Sequence, residues 1–135
     1  MFVDASAIIA ILTNEPDAGN LIDRLEGAAK PITSAIAIFE ATLGLCRKRN
    51  AGVDEGRTDV ADFLEAAHVK VVPIGTDEAD LALSAFARYG RGRGHPAQLN
   101  IGDCFAYAVA KSHRRTLLFK GDDFSKTDIA PGGGR

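Results

Sequence analysis

Met1-Phe2-Val3-Asp4-Ala5-Ser6 opens the chain, and the reading of this stretch decides the fold. Apolar Phe2 and Val3 run straight into a lone carboxylate, and small residues then lead into Ala7-Ile8-Ile9-Ala10-Ile11-Leu12. This is the pattern of a short buried strand that turns at once into a helix. Such a turn places Asp4 at the carboxyl edge of a sheet, where open α/β sheets take their ligands. A carboxylate directly after a buried strand is costly unless it is paired or liganded. If Asp4 is functional, its partners must come from far along the chain, and Glu40, Asp103 and Asp122 are the candidates.

The remaining elements follow outward from that strand. Ser6 can cap a helix over residues 7–13. Pro16 separates it from a second helix over 17–25. Pro31-Ile32-Thr33 reads as a strand, and Thr33 or Ser34 caps a long helix through Arg49. The stripe of that helix is Ile36, Phe39, Leu43 and Cys46, and its closing Arg47-Lys48-Arg49 complements the helix dipole. Gly52 and Gly56 flank an acidic turn before a helix over 58–67. Residues 69–74 are β-rich and bounded by Pro and Gly, so they read as a strand. Thr76 or Asp77 caps a helix to about Tyr89, and the glycine- and arginine-rich residues 90–96 form a flexible loop. Asn100 begins a helix to Ser112 or His113, and residues 116–119 are the final buried strand. Short strands separated by helices define an α/β fold with a central parallel sheet of four to five strands, flanked by helices on both faces.

The length of 135 residues suits one domain over 1–130, with the glycine-rich 131–135 as a flexible tail. A net charge of −2 provides no global basic field, so a polyanion would have to meet a local basic patch. Cys46 and Cys104 form no C-x-x-C pair and have no His at zinc-ligand spacing, so they read as reduced, buried thiols of a cytoplasmic protein. The start lacks the basic region of a signal peptide, and the apolar run 7–12 is far too short to span a bilayer.

Each acid has a plain structural role to set beside a chemical one. Asp4 could end its strand and cap the next helix. Glu40 has Ile36, Leu43 and Gly44 at i−4, i+3 and i+4, which places it on an apolar stripe, where it wants a partner unless it reaches water. Asn100-x-x-Asp103 resembles a capping box, and Asp122 and Asp123 could serve a turn after Gly121. The set is more informative than its members. Carboxylates gathered at one sheet edge repel and raise one another's pKa. A divalent cation relieves them, and oxygen-only ligands select Mg²⁺ or Mn²⁺. Such a cage suits phosphodiester hydrolysis.

Local positive charge for that substrate is offered by Arg88, Arg91, Arg93 and His95 just before the Asp103 helix, and by Arg47, Lys48 and Arg49. Lys111, His113, Arg114 and Arg115 read as a helix-end charge cluster, and His68 and His113 as surface residues. No Ser-His-Asp or Cys-His arrangement presents itself, and the glycine-rich loop lacks the Lys-Ser/Thr of a P-loop.

The residues Phe2-Val3-Asp4-Ala5-Ser6-Ala7, Ser34-Ala35 and Phe39-Glu40-Ala41, the run from His95 to Ala108, and Leu117-Leu118-Phe119-Lys120-Gly121-Asp122-Asp123-Phe124 together resemble the PIN-domain ribonucleases, specifically the VapC toxins of VapBC toxin–antitoxin modules. The likeness covers nearly the whole chain. It implies a PIN fold and Mg²⁺- or Mn²⁺-dependent endonucleolytic cleavage of RNA. Asp4, Glu40 and Asp103 fall on the family's metal-binding acids, and Ser6 on its small hydroxyl position near the metal. Many PIN domains carry Thr-x-Asp after the last strand where this chain has Lys120-Gly121-Asp122-Asp123. Asp122 is therefore favoured as the fourth acid, with Asp123 in reserve. The resemblance also implies a homodimer, a heterotetramer or larger assembly with a cognate VapB antitoxin, and an antitoxin segment that covers the acidic groove.

Two other readings compete. A haloacid dehalogenase type of phosphohydrolase needs a second Asp two residues after Asp4, where this chain has Ser6, and it would leave Glu40 and Asp103 idle. A catalytically silent PIN module that binds RNA or a protein partner is the other, and an Asp4→Asn substitution separates it from a nuclease.

Overall fold

The computed structural model describes residues 1–129, so the tail expected at 131–135 lies outside the described residues. β1 (Phe2–Val3), β2 (Ile32–Thr33), β3 (Lys70–Val71) and β4 (Leu117–Leu118) form one parallel sheet in the order β3-β2-β1-β4. Six helices connect them: α1 (Ala5–Leu12), α2 (Ala18–Glu26), α3 (Ala35–Arg49), α4 (Val53–Ala66), α5 (Thr76–Tyr89) and α6 (Ile101–Ser112). The α/β class, the parallel pairing and the four-strand sheet match the expectation from sequence.

Alternation along the strands divides the core. Phe2, Ile32 and Leu117 face one apolar cluster with α5 and α6, while Val3 and Leu118 face another with α1, α2 and α4. Phe2, Val3, Leu117 and Leu118 have no exposed surface, which is why runs of only two residues are enough to fix the sheet. The strand order matters for function. The chain leaves β1 towards β2 and β3, then returns across the sheet to lay β4 on the other side of β1. Connections therefore diverge at the carboxyl end of β1, the kind of crevice in which α/β sheets hold ligands. Asp4 is the residue that follows β1.

Several local expectations are corrected. Ser6 does not cap α1; Asp4 does, its carboxylate accepting from the Ser6 amide at 3.0 Å, so the helix starts two residues earlier than the apolar run suggests. α4 starts at Val53, because Asp54 and Glu55 form its acidic first turn instead of a separate loop. Gly56 lies inside that helix, and a Cβ there would meet Cys46 Sγ at 3.0 Å and the Thr42 carbonyl at 3.3 Å. The glycine thus serves close packing of α4 on α3, not a turn. α5 is capped at Gly75, whose amide donates to Glu78 Oε1 at 2.7 Å. β3 is short and exposed, as an edge strand tolerates.

The buried face of α3 is also not the expected one. Ala37, Ala41, Thr42, Gly44 and Leu45 are buried, while Phe39 is 65% exposed. Small residues let α3 approach α1 closely, with Gly44 directly against Ile9, and the bulky Phe39 is turned outward. Ser34 caps this helix by accepting from the Ala37 amide at 3.2 Å, and Asn50 ends it in the left-handed conformation.

Beyond β4 the chain is anchored by Phe124 and Ile129 in the core and by Asp128. The Asp128 carboxylate accepts from the hydroxyls of Tyr107 (2.5 Å) and Tyr89 (3.3 Å) and pairs with Lys111 at 2.9 Å. Cys46 and Cys104 are free, and His68 and His113 are exposed, as expected; Cys104 is buried, but Cys46 is only partly so.

Candidate active site

Three elements carry acids to the end of β1. Asp4 follows the strand itself, Glu40 lies in the second turn of α3, and Asp103 lies in the first turn of α6. Asp4 is buried, with 5% of its surface exposed, and Glu40 and Asp103 are half-buried. Asp103 also completes a capping box: its carboxylate accepts from the Asn100 amide at 3.1 Å while its own amide donates to Asn100 Oδ1 at 2.8 Å. The structural and chemical roles of Asp103 coexist, because the cap uses Oδ2 and leaves the other oxygen.

Ser6 sits beside Asp4. Its hydroxyl donates to Asp4 Oδ2 at 2.6 Å and accepts the Lys120 amide at 2.9 Å. One hydroxyl therefore joins the acid after β1 to the residue that leads out of β4. Gly121 then turns the chain with φ +99°, a conformation that side chains rarely adopt, and delivers Asp122 and Asp123 to the exposed rim.

Electrostatics show which acids face one another. Burial raises the Asp4 carboxyl above its ordinary value; the Ser6 hydroxyl and the Ser6 and Ala5 amides oppose this, and the charge of Asp123 adds to the rise. Burial also raises Glu40, and the charge of Asp4 raises it further. Asp103 is pushed up to about 7, chiefly by burial; the Asn100 amide opposes the shift, and the charges of Asp4, Asp123 and Glu40 reinforce it. Asp4, Glu40, Asp103 and Asp123 therefore act on a common space. The backbone carbonyl of Asp122 closes the turn, accepting from the Ser125 amide at 3.2 Å and the Ser125 hydroxyl at 2.8 Å.

The donor chemistry is all oxygen, partly desolvated and mutually repelling, which is what a hard divalent cation neutralises. As the side chains stand, however, no group of three or more His, Cys, Asp or Glu residues among the described residues is arranged to hold a metal ion. Ligation would need side-chain rotation to draw the carboxylates inward. Glu40 already presses on the α6 backbone: a Cβ at Gly102 would lie 1.9 Å from Glu40 Oε2. Sequence reading passed over Gly102, although a glycine in the first turn of a helix gives up helix propensity and so signals a spatial demand.

The arginine loop is more ordered than its composition suggests. Gly90 and Leu99 form a parallel bridge at its base, the Arg91 amide donating to the Leu99 carbonyl and the Leu99 amide to the Tyr89 carbonyl. Gly92 and Gly94 take positive φ within it. His95 serves the loop itself, its Nδ1 accepting from the Ala97 amide at 3.0 Å and its ring meeting Tyr89 edge-on. Arg88 lies over the Tyr89 ring at 4.7 Å and Arg93 near the Phe86 ring at 5.9 Å, while Arg91 and Arg93 are exposed. Arg47 is exposed, and Lys48 and Arg49 pair with Glu15 and Asp59.

Sheet order, switch point and acid cluster together define a family, and the comparisons agree. The PIN domain model matches residues 1–130. A VapC ribonuclease of Rhizobium meliloti is 43% identical, covering 95% of this chain and 98% of its own. Ribonuclease VapC28 of Mycobacterium tuberculosis is 41% identical, over 96% and 95% of the two chains. Among solved structures, M. tuberculosis VapC20, described as a sarcin–ricin loop cleaving toxin, superposes with a TM-score of 0.74 at 17% identity, over 96% of this chain and 95% of that one. The chain belongs to the PIN-domain family and, within it, to the VapC group.

Proposed function

We propose that this protein is a metal-dependent endoribonuclease toxin of a toxin–antitoxin pair, acting in the cytoplasm and held in check by a VapB-type antitoxin. The observation that carries this reading is that Asp4, Glu40 and Asp103 stand at the carboxyl end of β1 with burial raising each carboxyl, and that the charges of Asp4, Glu40 and Asp123 add to the rise at a neighbouring acid. VapC relatives along nearly the whole chain support the ribonuclease activity. A solved toxin–antitoxin complex from Klebsiella pneumoniae, with a TM-score of 0.68 at 16% identity, shares the fold.

In this mechanism Asp4 and Asp103 would hold Mg²⁺ or Mn²⁺, with Glu40 contributing directly or through water. Such a cation, when bound, would supply a lowered pKa for water and positive charge to offset that of the attacked phosphate. Asp123 is taken as the fourth acid, with Asp122 as the alternative, since the charge of Asp123 bears on Asp4 and Asp103. It orients the attacking water. In-line attack at phosphorus expels the 3′ oxygen and leaves a 5′-phosphate and a 3′-hydroxyl. Ser6 fixes one oxygen of Asp4 throughout. Arg91 and Arg93 contact RNA phosphates, which positions a strand without reading its sequence. An antitoxin side chain of positive charge would suit the same acids.

An apolar face beside the site supports pairing of two copies. Leu83, Phe86 and Ile101 are exposed around a cavity of about 430 Å³ that Ala79, Ala82, Cys104 and Phe105 complete. Among the described residues no helix is long and apolar enough to cross a membrane.

A second reading rests on the spacing of the carboxylates, which do not form a ready metal cage as they stand. Under it the chain is a silent PIN module that binds RNA or a protein. Cleavage of total RNA by the antitoxin-free protein, with and without Mg²⁺ or Mn²⁺ and beside Asp4→Asn, decides between the two. Discrete metal-dependent cuts, mapped by sequencing new 5′ ends and absent from the variant, establish the nuclease. Their absence from a folded protein supplied with either metal favours the binding module.

A further inference from the structure

Lys120 is a cation built onto the rim of the acid cluster by its backbone. Its amide donates to Ser6 Oγ at 2.9 Å, and that hydroxyl donates to Asp4 at 2.6 Å, so only two hydrogen bonds separate Lys120 from the buried acid. Asp123, whose charge bears on Asp4 and Asp103, is three residues further on. A lysine's flexible four-carbon stem could bring its ammonium among those carboxylates. Unopposed, attraction to several partly desolvated acids should draw it there.

The ammonium goes the other way. It pairs with Glu15 Oε1, and Asp17 Oδ1 lies 3.7 Å from it. Glu15 belongs to the connection between α1 and α2, and its other oxygen is held by Lys48 of α3 at 2.6 Å and by the Thr13 hydroxyl at 3.1 Å. The Glu15 carboxylate is thus held by two groups before it receives Lys120. Asp17 Oδ1 is buried with no hydrogen-bond partner of its own, so the nearby ammonium is its main compensation. Two acids outside the site therefore restrain a cation that the acids inside it would otherwise attract.

We propose that Glu15, seconded by Asp17, is a positioning residue for metal binding: it tethers the Lys120 ammonium away from Asp4, Asp103 and Asp123 and so keeps those carboxylates available to a divalent cation. This rests on the metal-dependent reading above and extends it to residues outside the acid cluster. Lysine competes with metal for the same charge, and Glu15 decides that competition in the metal's favour.

The test is Mn²⁺ binding by isothermal titration calorimetry, without RNA, on the wild type, Glu15→Gln, Lys120→Met and the double variant. Glu15→Gln should weaken Mn²⁺ binding about tenfold, the effect of one added positive charge beside the carboxylates. Lys120→Met alone should bind at least as tightly as the wild type. The double variant should return to within about twofold of wild type, because removing the lysine removes the competitor. Thermal melting in chelator shows that each variant is folded. A folded Glu15→Gln that binds Mn²⁺ as the wild type does, or a double variant as weak as Glu15→Gln, overturns the tether. If Lys120→Met binds Mn²⁺ more weakly than the wild type, the lysine supports the site instead of competing, and the proposal falls. A wild type that takes no Mn²⁺ overturns both this proposal and the metal-dependent reading, whereas the other failures leave that reading intact.

Discussion

The carboxylate of Glu40 occupies the space over residue 102: a Cβ on Gly102 would stand 1.9 Å from Glu40 Oε2 and 2.3 Å from both Cδ and Oε1. The obstruction is the far end of a long side chain, which can move, and not backbone. Gly102→Ala should therefore leave the fold intact and displace Glu40. Alanine is favoured over glycine within a helix by roughly 0.5–1 kcal/mol, so stability should hold or rise. Cleavage should fall by roughly a hundredfold, the scale of a misplaced catalytic group. Melting and cleavage measured on one preparation check this. Full activity in Gly102→Ala would mean that Glu40 does its work from another position.

Asp4→Asn separates the two roles of Asp4. As a helix cap, asparagine is as good as aspartate, so α1 should keep its start. As a charge, Asp4 is buried and held above its usual pKa by that burial. Removing it should raise the apo protein's melting temperature by a few degrees and abolish both cleavage and stabilisation by Mn²⁺. Scanning calorimetry in chelator and in Mn²⁺ reads both effects. A variant that melts below wild type in chelator would show that the Asp4 charge stabilises the fold, contrary to this account.

The elevated Asp103 carboxyl gives stability without metal a definite slope. Its folded value of about 7 lies above its ordinary 3.8, so the native state binds the proton more tightly than the unfolded chain does. The favourable contribution is complete below about 4 and is lost as pH rises through about 7. Chemical denaturation in chelator should accordingly show stability falling between about pH 4 and about pH 7, with Asp103→Asn flattening the decline. With Mn²⁺ present the slope should weaken or reverse, because the cation competes with the proton. An unchanged slope in Asp103→Asn would assign the effect to Asp4 or Glu40.

Much of this was legible from local pattern. Phe2-Val3-Asp4 announced a buried strand ending in an acid because strand, edge and turn follow one another without interruption. Asn100 and Asp103 announced a helix start because a capping box is local chemistry. What stayed hidden depended on distant partners. The α3 face was misread because apolarity was weighted by size, whereas close packing selects Ala37, Ala41 and Gly44 and turns Phe39 outward. Asp122 and Asp123 are equivalent as letters, and the charge of Asp123 bears on Asp4 and Asp103 only through the folded chain. Glu15 and Lys120 are 105 positions apart, so nothing local could join them.

Arg91 and Arg93 test whether the basic loop meets RNA. Both are exposed on a loop whose base is closed by the Gly90–Leu99 bridge, so removing their side chains should not disturb the backbone that leads to Asp103. Arg88 is a poorer choice, since its guanidinium lies over the Tyr89 ring and its loss would disturb packing. In Arg91→Ala/Arg93→Ala, KM for RNA should rise while kcat stays within about twofold, because the lost contacts are uniform binding. Each phosphate contact to single-stranded RNA contributes about −0.7 to the slope of log K against log salt, so the double variant should flatten that slope by about 1.4. Fluorescence anisotropy with a catalytically dead Asp4→Asn background, titrated across salt, measures it without cleavage. An unchanged slope would remove the loop from the RNA path and leave Arg47, on the helix that carries Glu40, as the next basic group to examine.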